Sequence, residues 1–139
     1  KARRLHQKVG LKLIVLDYLQ LMTSGKKVES RQQEVSEFSR QIKLLAKELE
    51  VPVVAMSQLN RGPEQRTDKK PMLADLRESG SIEQDADMVV LLHRPDAFEK
   101  DDPRGGEADL IIAKHRAGPT KTVTVAHQLH LSRFTNMAH

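Results

Sequence analysis

Leu11-Lys-Leu-Ile-Val-Leu16, closed by Asp17, and Val51-Pro-Val-Val-Ala-Met56 are two short, nearly continuous apolar runs. That is the pattern of strands buried on both faces. Between them, Ser30 with Gln33 three residues on resembles a capping box and opens a helix running to about Glu50. Val35, Phe38, Ile42, Leu45 and Leu49 recur at spacings of three and four, which makes one core-facing stripe. Pro52 is tolerable near the start of its strand. Strand, helix and strand form a βαβ unit, whose strands are parallel and whose crossover is right-handed.

Working outward, Asp75 to Asp87 can hold a short helix or a turn. Asp87-Met-Val-Val-Leu-Leu92 predicts a third strand and Glu107 to Lys114 a fourth, separated by a long loop with Pro95, Pro103 and Gly105-Gly106. Ala117-Gly118-Pro119 then turns the chain into an alternating strand from Thr120 to Ala126, and the tail has room for another. The fold class is therefore α/β at the start with an antiparallel hairpin at the end. There is no internal repeat, low-complexity tract or interdomain linker.

The 139 residues suit one domain, and 38% hydrophobic with 30% charged residues exclude a disordered or membrane-embedded chain. The apolar stretches, Leu13 to Leu16 among them, are far too short to span a bilayer. With no cysteine, disulfide scaffolds and thiolate metal sites are excluded, and an intracellular address is favoured. A net charge of +4 is compatible with a polyanionic partner. Three Phe, one Tyr and no Trp argue against base-stacking platforms, so a nucleic acid would be gripped by its phosphates. His127 and His130, three apart in an expected strand, point to opposite faces and read as ordinary residues rather than zinc ligands.

Parallel strands bring Asp17 and the residue just past the second strand, Gln58, to one sheet edge, where open α/β sheets bind ligands. A carboxylate ending an apolar strand suits Mg²⁺ on a nucleotide; it also suits a plain strand cap. Gln58 alone reads equally as a polar residue starting a loop. Lys114 and Arg116, two apart at a strand end, point the same way and invite an anion, or they are solvated cations beside a turn. The loop from Leu59 to Pro71 carries Arg61, Arg66, Lys69 and Lys70 against Glu64 and Asp68, and a solvated charged loop accounts for its outer half as well as a nucleic-acid contact does.

Five stretches taken in order narrow these readings. Leu13-Ile-Val-Leu-Asp17-Tyr-Leu-Gln-Leu-Met22 resembles the Walker B segment of hexameric replicative DNA helicases of the DnaB family. Ser57-Gln-Leu-Asn-Arg61 resembles their next motif. Asp75-Leu-Arg-Glu-Ser-Gly-Ser-Ile-Glu-Gln-Asp-Ala-Asp87 resembles their DNA-facing loop and the helix after it. Lys114-His-Arg116-Ala-Gly-Pro119 is similar to the segment that reaches the neighbouring subunit's nucleotide, and Ser132-Arg-Phe134 to the terminal strand.

The resemblance implies a RecA-like (P-loop NTPase) core, a mostly parallel sheet flanked by helices, with residues 1–139 as the C-terminal portion of the ATPase domain. It implies an ATP-dependent, 5′-to-3′ DNA helicase working at the bacterial replication fork in the cytoplasm as a homohexamer. ATP and Mg²⁺ are the implied cofactors; single-stranded DNA, primase and a helicase loader are the implied partners. Asp17 would hold Mg²⁺, mainly through water. Gln58 would sense the γ-phosphate, its amide able to donate to phosphate and accept from a neighbour. Lys114 and Arg116 would serve the adjacent protomer's nucleotide, Arg116 as arginine finger. Arg77, Glu78 and Gly80 would contact the DNA backbone, a sequence-tolerant and salt-dependent grip.

The chain also departs from the family. A P-loop reads G-x-x-x-x-G-K-[ST], but Gly25-Lys26 is followed by Lys27 and has Gln20 where the first glycine belongs. The Walker A half, the upstream catalytic glutamate and the family's N-terminal domain are not in these residues, so the isolated chain is expected to be inactive. An intein flank is one origin consistent with this, since such genes host inteins. The strand Leu11 to Leu16 would then expose apolar surface, and the chain alone should be unstable or aggregate. Two other readings share parts of the pattern: a different RecA-like repair ATPase, and an inactive fragment that only binds DNA or assembles with partners.

Overall fold

The computed structural model describes residues 1–22, 30–76 and 80–138. In chain order the elements are helix α1 (Ala2–Val9), strand β1 (Ile14–Leu16), helix α2 (Arg31–Leu49), strand β2 (Val53–Ala55), the short helices α3 (Gly62–Gln65) and α4 (Gly80–Asp85), and strands β3 (Met88–His93), β4 (Glu107–His115), β5 (Lys121–Gln128) and β6 (Arg133–Asn136). Single 3-10 turns lie at Leu19–Leu21, Leu73–Asp75, Pro95–Ala97 and Leu129–Leu131. Two compact units result: Lys1–Gln58 with Leu76–Ala86, and Leu59–Asp75 with Asp87–His139.

In the first unit, α2 starts where its cap predicts. The extended Ser30 accepts a hydrogen bond from the Gln33 N–H at 3.2 Å, satisfying one orphan donor of the first turn. Glu50 ends the helix in the left-handed conformation, its N–H turned back onto the Ala46 and Lys47 carbonyls. Val35 and Phe38 of the apolar stripe are buried, and Ile42, Leu45 and Leu49 are half-buried. Helix α4 rests on α2 through Ser39 Oγ to Asp85 Oδ2 and Ser81 Oγ to Ser36 Oγ, both 2.8 Å.

β1 and β2 pair in parallel, Ile14 with Val53 and Leu16 with Ala55, so the βαβ unit forms. The strands are shorter than the apolar runs, and they are not buried on both faces. Val15 and Val54, directly paired, remain 53% and 50% exposed. Among the described residues each strand has one neighbour only, and alternation turns Ile14 and Leu16 to one side and Val15 to the other.

The second unit carries a four-stranded antiparallel meander, β3-β4-β5-β6. The α/β class holds, while the antiparallel part is larger than the expected hairpin: β3 and the tail both join it. Val89, Leu91 and His93 alternate inward along β3 and are buried, as are Ala108 of β4 and Val125 of β5. The β3–β4 ladder shifts register between Val89 and Val90: Val90 faces Ile112 but Val89 faces Lys114, leaving Ala113 as the extra residue of a bulge.

Ion pairs pin the long β3–β4 loop to the sheet. Arg104 donates from Nη1 and Nη2 to Asp109 (3.0 and 2.6 Å) and from Nε to Glu107 (2.8 Å), and Thr124 Oγ1 also donates to Asp109. These donors, Arg104 first, hold the buried Asp109 carboxyl below its usual range. Asp96 accepts from the Gly106 N–H, from Arg94 and, at 2.8 Å, from His127 Nε2. His127 is therefore a strand residue with a carboxylate partner. His130 lies in a 3-10 turn, not in the strand expected from the sequence. No helix of the described residues is long and apolar enough to cross a membrane.

Candidate nucleotide and DNA site

Parallel pairing delivers Asp17 and Gln58 to the same end of the β1–β2 pair. The ladder closes with Met56 N–H to the Leu16 carbonyl (2.9 Å), and the chain beyond Asp17 is tied back by Leu19 N–H to the Met56 carbonyl (2.9 Å). Leu19, 3% exposed, anchors that turn. Asp17 and Gln58 themselves are exposed. A lone, water-facing carboxylate fits Mg²⁺, a cation that keeps most of its water and takes phosphate oxygens for the rest. Among the described residues no cluster of three or more His, Asp or Glu side chains could cage a metal unaided.

A residue the sequence reading passed over joins these two ends. Gln20 Oε1 accepts the Gln58 N–H at 3.2 Å, and its Nε2 donates to Ser57 Oγ at 2.9 Å and to the Gln58 carbonyl at 3.5 Å. Arg31, at the start of α2, steadies the same segment. It donates to the Gln20 and Met22 carbonyls, the latter at 2.8 Å, and pairs with Glu34 at 2.8 Å. The available signal was a lone polar side chain inside Tyr18-Leu-Gln-Leu-Met22.

In the second unit, Lys114 sits on β4 opposite Val89, directly after the bulge. Arg116 lies one residue past the end of β4, so strand alternation does not aim its side chain alongside Lys114. Its direction is set by Asp87. Arg116 Nη1 donates to Asp87 Oδ1 at 3.0 Å and the Arg116 N–H to the Asp87 carbonyl at 2.9 Å. The anion expected near the two cations is supplied, for Arg116, by the chain itself. The pair is open to water, with side chains 53% and 64% exposed. Behind it, a Cβ at Gly118 would stand 2.6 Å from the His115 ring, so a side chain there needs that ring to move.

The loop before Asp75 is more self-contained than its charges suggest. Arg66 binds both oxygens of Asp75 and the Lys70 carbonyl. The buried Asp75 also accepts the Met72 N–H at 2.7 Å, and Asn60 N–H bonds the Asp75 carbonyl at 2.8 Å. Arg66 holds the Asp75 carboxyl below the usual carboxylate range. Lys69 donates to the Glu64 carbonyl. Two of the four cations counted there thus staple the loop, while Arg61 and Lys70 are exposed.

Of the candidate DNA contacts, Arg77 and Glu78 lie outside the described residues. Gly80 opens α4, exposed, and a Cβ built on it would meet nothing within 4 Å. Among the described residues, nothing demands a glycine at that position.

The family described as "DnaB-like helicase C terminal domain" matches residues 1–136. Over 138 residues the chain is 86% identical to "Replicative DNA helicase DnaB" of Mycobacterium intracellulare and 56% identical to that of Geobacillus stearothermophilus; each alignment covers 99% of this chain. The chain spans 24% and 30% of those two relatives. Among solved structures, one described as an "ATPase Domain" superposes with a TM-score of 0.92 at 44% identity, covering 99% of this chain and 49% of that one. "The Structure Of A DnaB-Like Replicative Helicase And Its Interactions With Primase" superposes at 0.91 and 44%, covering 98% and 34%.

Proposed function

This chain belongs to the DnaB-like helicase C-terminal domain family, and from that premise we propose that it serves as the C-terminal portion of the RecA-like motor of an ATP-dependent replicative DNA helicase. As part of a homohexameric ring in the bacterial cytoplasm, it would convert ATP hydrolysis into movement along single-stranded DNA and separation of the duplex. Primase and a loader would engage the complete protein; the structural relative solved with primase supports the first of these.

The observation that carries this reading is the shared sheet end. Parallel register sets a carboxylate, Asp17, and an amide, Gln58, past adjacent strand ends, the edge where α/β sheets take nucleotides. Asp17 would hold Mg²⁺ largely through its water, and that ion neutralises phosphate charge when bound. Gln58 would donate to the γ-phosphate and pass its presence to the segment that follows. Lys114 and Arg116 would stabilise negative charge on the nucleotide of the adjacent protomer, a contribution of about 10³- to 10⁵-fold for arginine fingers in other systems. Arg77, Glu78 and Gly80 would face the DNA strand. Gly80 admits a close backbone approach, since none of the described residues occupies its side-chain space.

The test is Gln58→Ala in the complete helicase. ATP binding is expected to persist while stimulation by single-stranded DNA and unwinding of a forked duplex are lost. Parental stimulation and unwinding in that variant would overturn the assignment. Mixing this chain with the complementary fragment that carries the P-loop should restore DNA-stimulated turnover.

A further inference from the structure

We infer that Gln20 is a positioning residue for Gln58: its side-chain amide grips the main chain of the phosphate sensor and fixes the point from which that side chain reaches. The inference rests on the reading of Gln58 given above and adds a residue to it.

The local structure gives Gln20 a rigid base. Buried Leu19 pegs the turn into the core, and Leu21 N–H to Tyr18 O and Met22 N–H to Leu19 O, both 3.0 Å, wind it into a single 3-10 turn. Arg31 then closes on the Gln20 and Met22 carbonyls from the first turn of α2. With its main chain held from two sides, Gln20 has only its own three side-chain torsions to vary, and the amide at their end is spent on Ser57 and Gln58.

The chemistry of the contact is specific. A peptide offers a donor and an acceptor, and a side-chain amide answers with an acceptor and a donor on neighbouring atoms. Gln20 Oε1 takes the Gln58 N–H at 3.2 Å, while Nε2 gives its stronger bond to Ser57 Oγ at 2.9 Å and a longer one to the Gln58 carbonyl at 3.5 Å. A carboxylate could keep the first contact, accept from the Ser57 hydroxyl, and would repel the carbonyl. An apolar side chain keeps none of the three. Meanwhile the Gln58 side chain is exposed. A fixed peptide with an exposed tip is what a group must have to report the arrival of a phosphate, because a loose base would let the tip miss it.

The experiment uses the complete helicase and four variants: Gln20→Ala, Gln20→Glu, Gln58→Ala and the double alanine. Steady-state ATP hydrolysis with saturating single-stranded DNA gives kcat and KM, and melting temperature is recorded for each. Gln20→Ala is expected to lower kcat by about five- to tenfold, the scale of one or two lost hydrogen bonds, with KM for ATP within about twofold of the parent. Gln20→Glu should recover most of that loss. The double variant should be no slower than Gln58→Ala alone, because one residue acts through the other.

Parental kcat in Gln20→Ala overturns the inference. So do equal losses in Gln20→Ala and Gln20→Glu accompanied by lower melting temperatures, which mark a merely structural role. Should Gln20→Ala fail to assemble, Gln20→Glu decides alone: a two- to threefold lower kcat at constant KM, about what loss of one weak contact gives, supports the inference, and parental kcat ends it. If Gln58→Ala retains full DNA stimulation, the sensor reading itself is wrong; loss in Gln58→Ala with none in either Gln20 variant removes Gln20 alone.

Discussion

Arg116 is tied to Asp87 twice, by its main-chain N–H to the Asp87 carbonyl at 2.9 Å and by its guanidinium to the Asp87 carboxylate at 3.0 Å. The residues stand 29 positions apart in sequence, and their pairing fixes where the chain leaves β4 and where the guanidinium begins its reach. If Arg116 is the finger, Arg116→Ala in the complete helicase should lower DNA-stimulated turnover by about 10³-fold or more while ATP affinity stays near parental. Asp87→Ala should cost less than about fivefold, since an exposed ion pair contributes little and the main-chain bond survives. Turnover and equilibrium ATP binding, measured side by side, check both; equal loss of the two in Arg116→Ala would argue against a finger.

Gly118 should accept a side chain only where the His115 ring gives way. A Cβ at Gly118 would lie 2.6 Å from His115 Cε1 and 2.7 Å from Nδ1, so Gly118→Ala must displace that ring. A fall in kcat and a stability cost of about 1 kcal/mol, near the lower end for overpacking, are expected. His115→Ala combined with Gly118→Ala should recover the stability, because the colliding atoms are gone. Thermal melts and turnover of the two variants decide the matter, and failure of the second substitution to restore stability would place the defect elsewhere.

At Gly80 the expectation is the reverse split. Gly80→Ala adds a methyl group into open space at the start of α4 and raises helix propensity, so the melting temperature should hold or rise slightly. Binding of single-stranded DNA should weaken if a phosphate backbone approaches that surface. Fluorescence anisotropy with a labelled oligonucleotide at several salt concentrations gives the answer; parental affinity would exclude close approach at this residue.

Acid should loosen the second unit through Asp109. Its folded pKa is depressed below the ordinary value of 3.8 by Arg104 and Thr124, so the stabilisation is fully present above that value and is lost as pH falls through the lower, folded one. Asp109→Ala should cost about 2 kcal/mol at neutral pH, the scale of hydrogen bonds to a charged group. It should also flatten the drop in stability below pH 3.8. Denaturant melts from neutral pH downward, on parent and variant, test the sign.

On its own the chain should self-associate. Val15 and Val54 present adjoining apolar surface on the β1–β2 pair, with Leu13 and Met56 also exposed. Concentration-dependent sedimentation is the expected behaviour, reduced by Val15→Thr with Val54→Thr. A sharp, cooperative melt of a monomer would contradict it.

Much of this molecule could be read from its residues, and the failures have one physical cause. Helix α2 was legible because its cap, its apolar stripe and its length are local properties. So was the parallel pairing of β1 and β2, because an apolar run, a helix and a second apolar run admit few topologies. The placement of Asp17 and Gln58 at one sheet end followed from that topology, whereas their roles came only from the resemblance. Gln20 followed from neither, since a side chain holding a peptide 38 residues away leaves no periodic trace. Asp87 was hidden for the same reason. The cations Arg66 and Lys69 looked available because a sequence shows charge without showing what already binds it. That β3 and β6 join the antiparallel sheet was underestimated, because their pairing is set by long-range register and not by turn chemistry.

The extra residue in β4 has a consequence for Lys114. Opposed residues of an antiparallel pair share a face, so Lys114, matched to Val89, stands on the side of the sheet that holds Leu91 and His93. Were the same two strands to zip evenly from Val90 and Ile112 onward, Ala113 would take the place opposite Val89 and Lys114 would fall opposite Met88. Its ammonium would then swing through the sheet to the far surface. Tidier hydrogen bonding would therefore put the lysine on the opposite face from Leu91 and His93. In this strand the irregularity is what aims the charge.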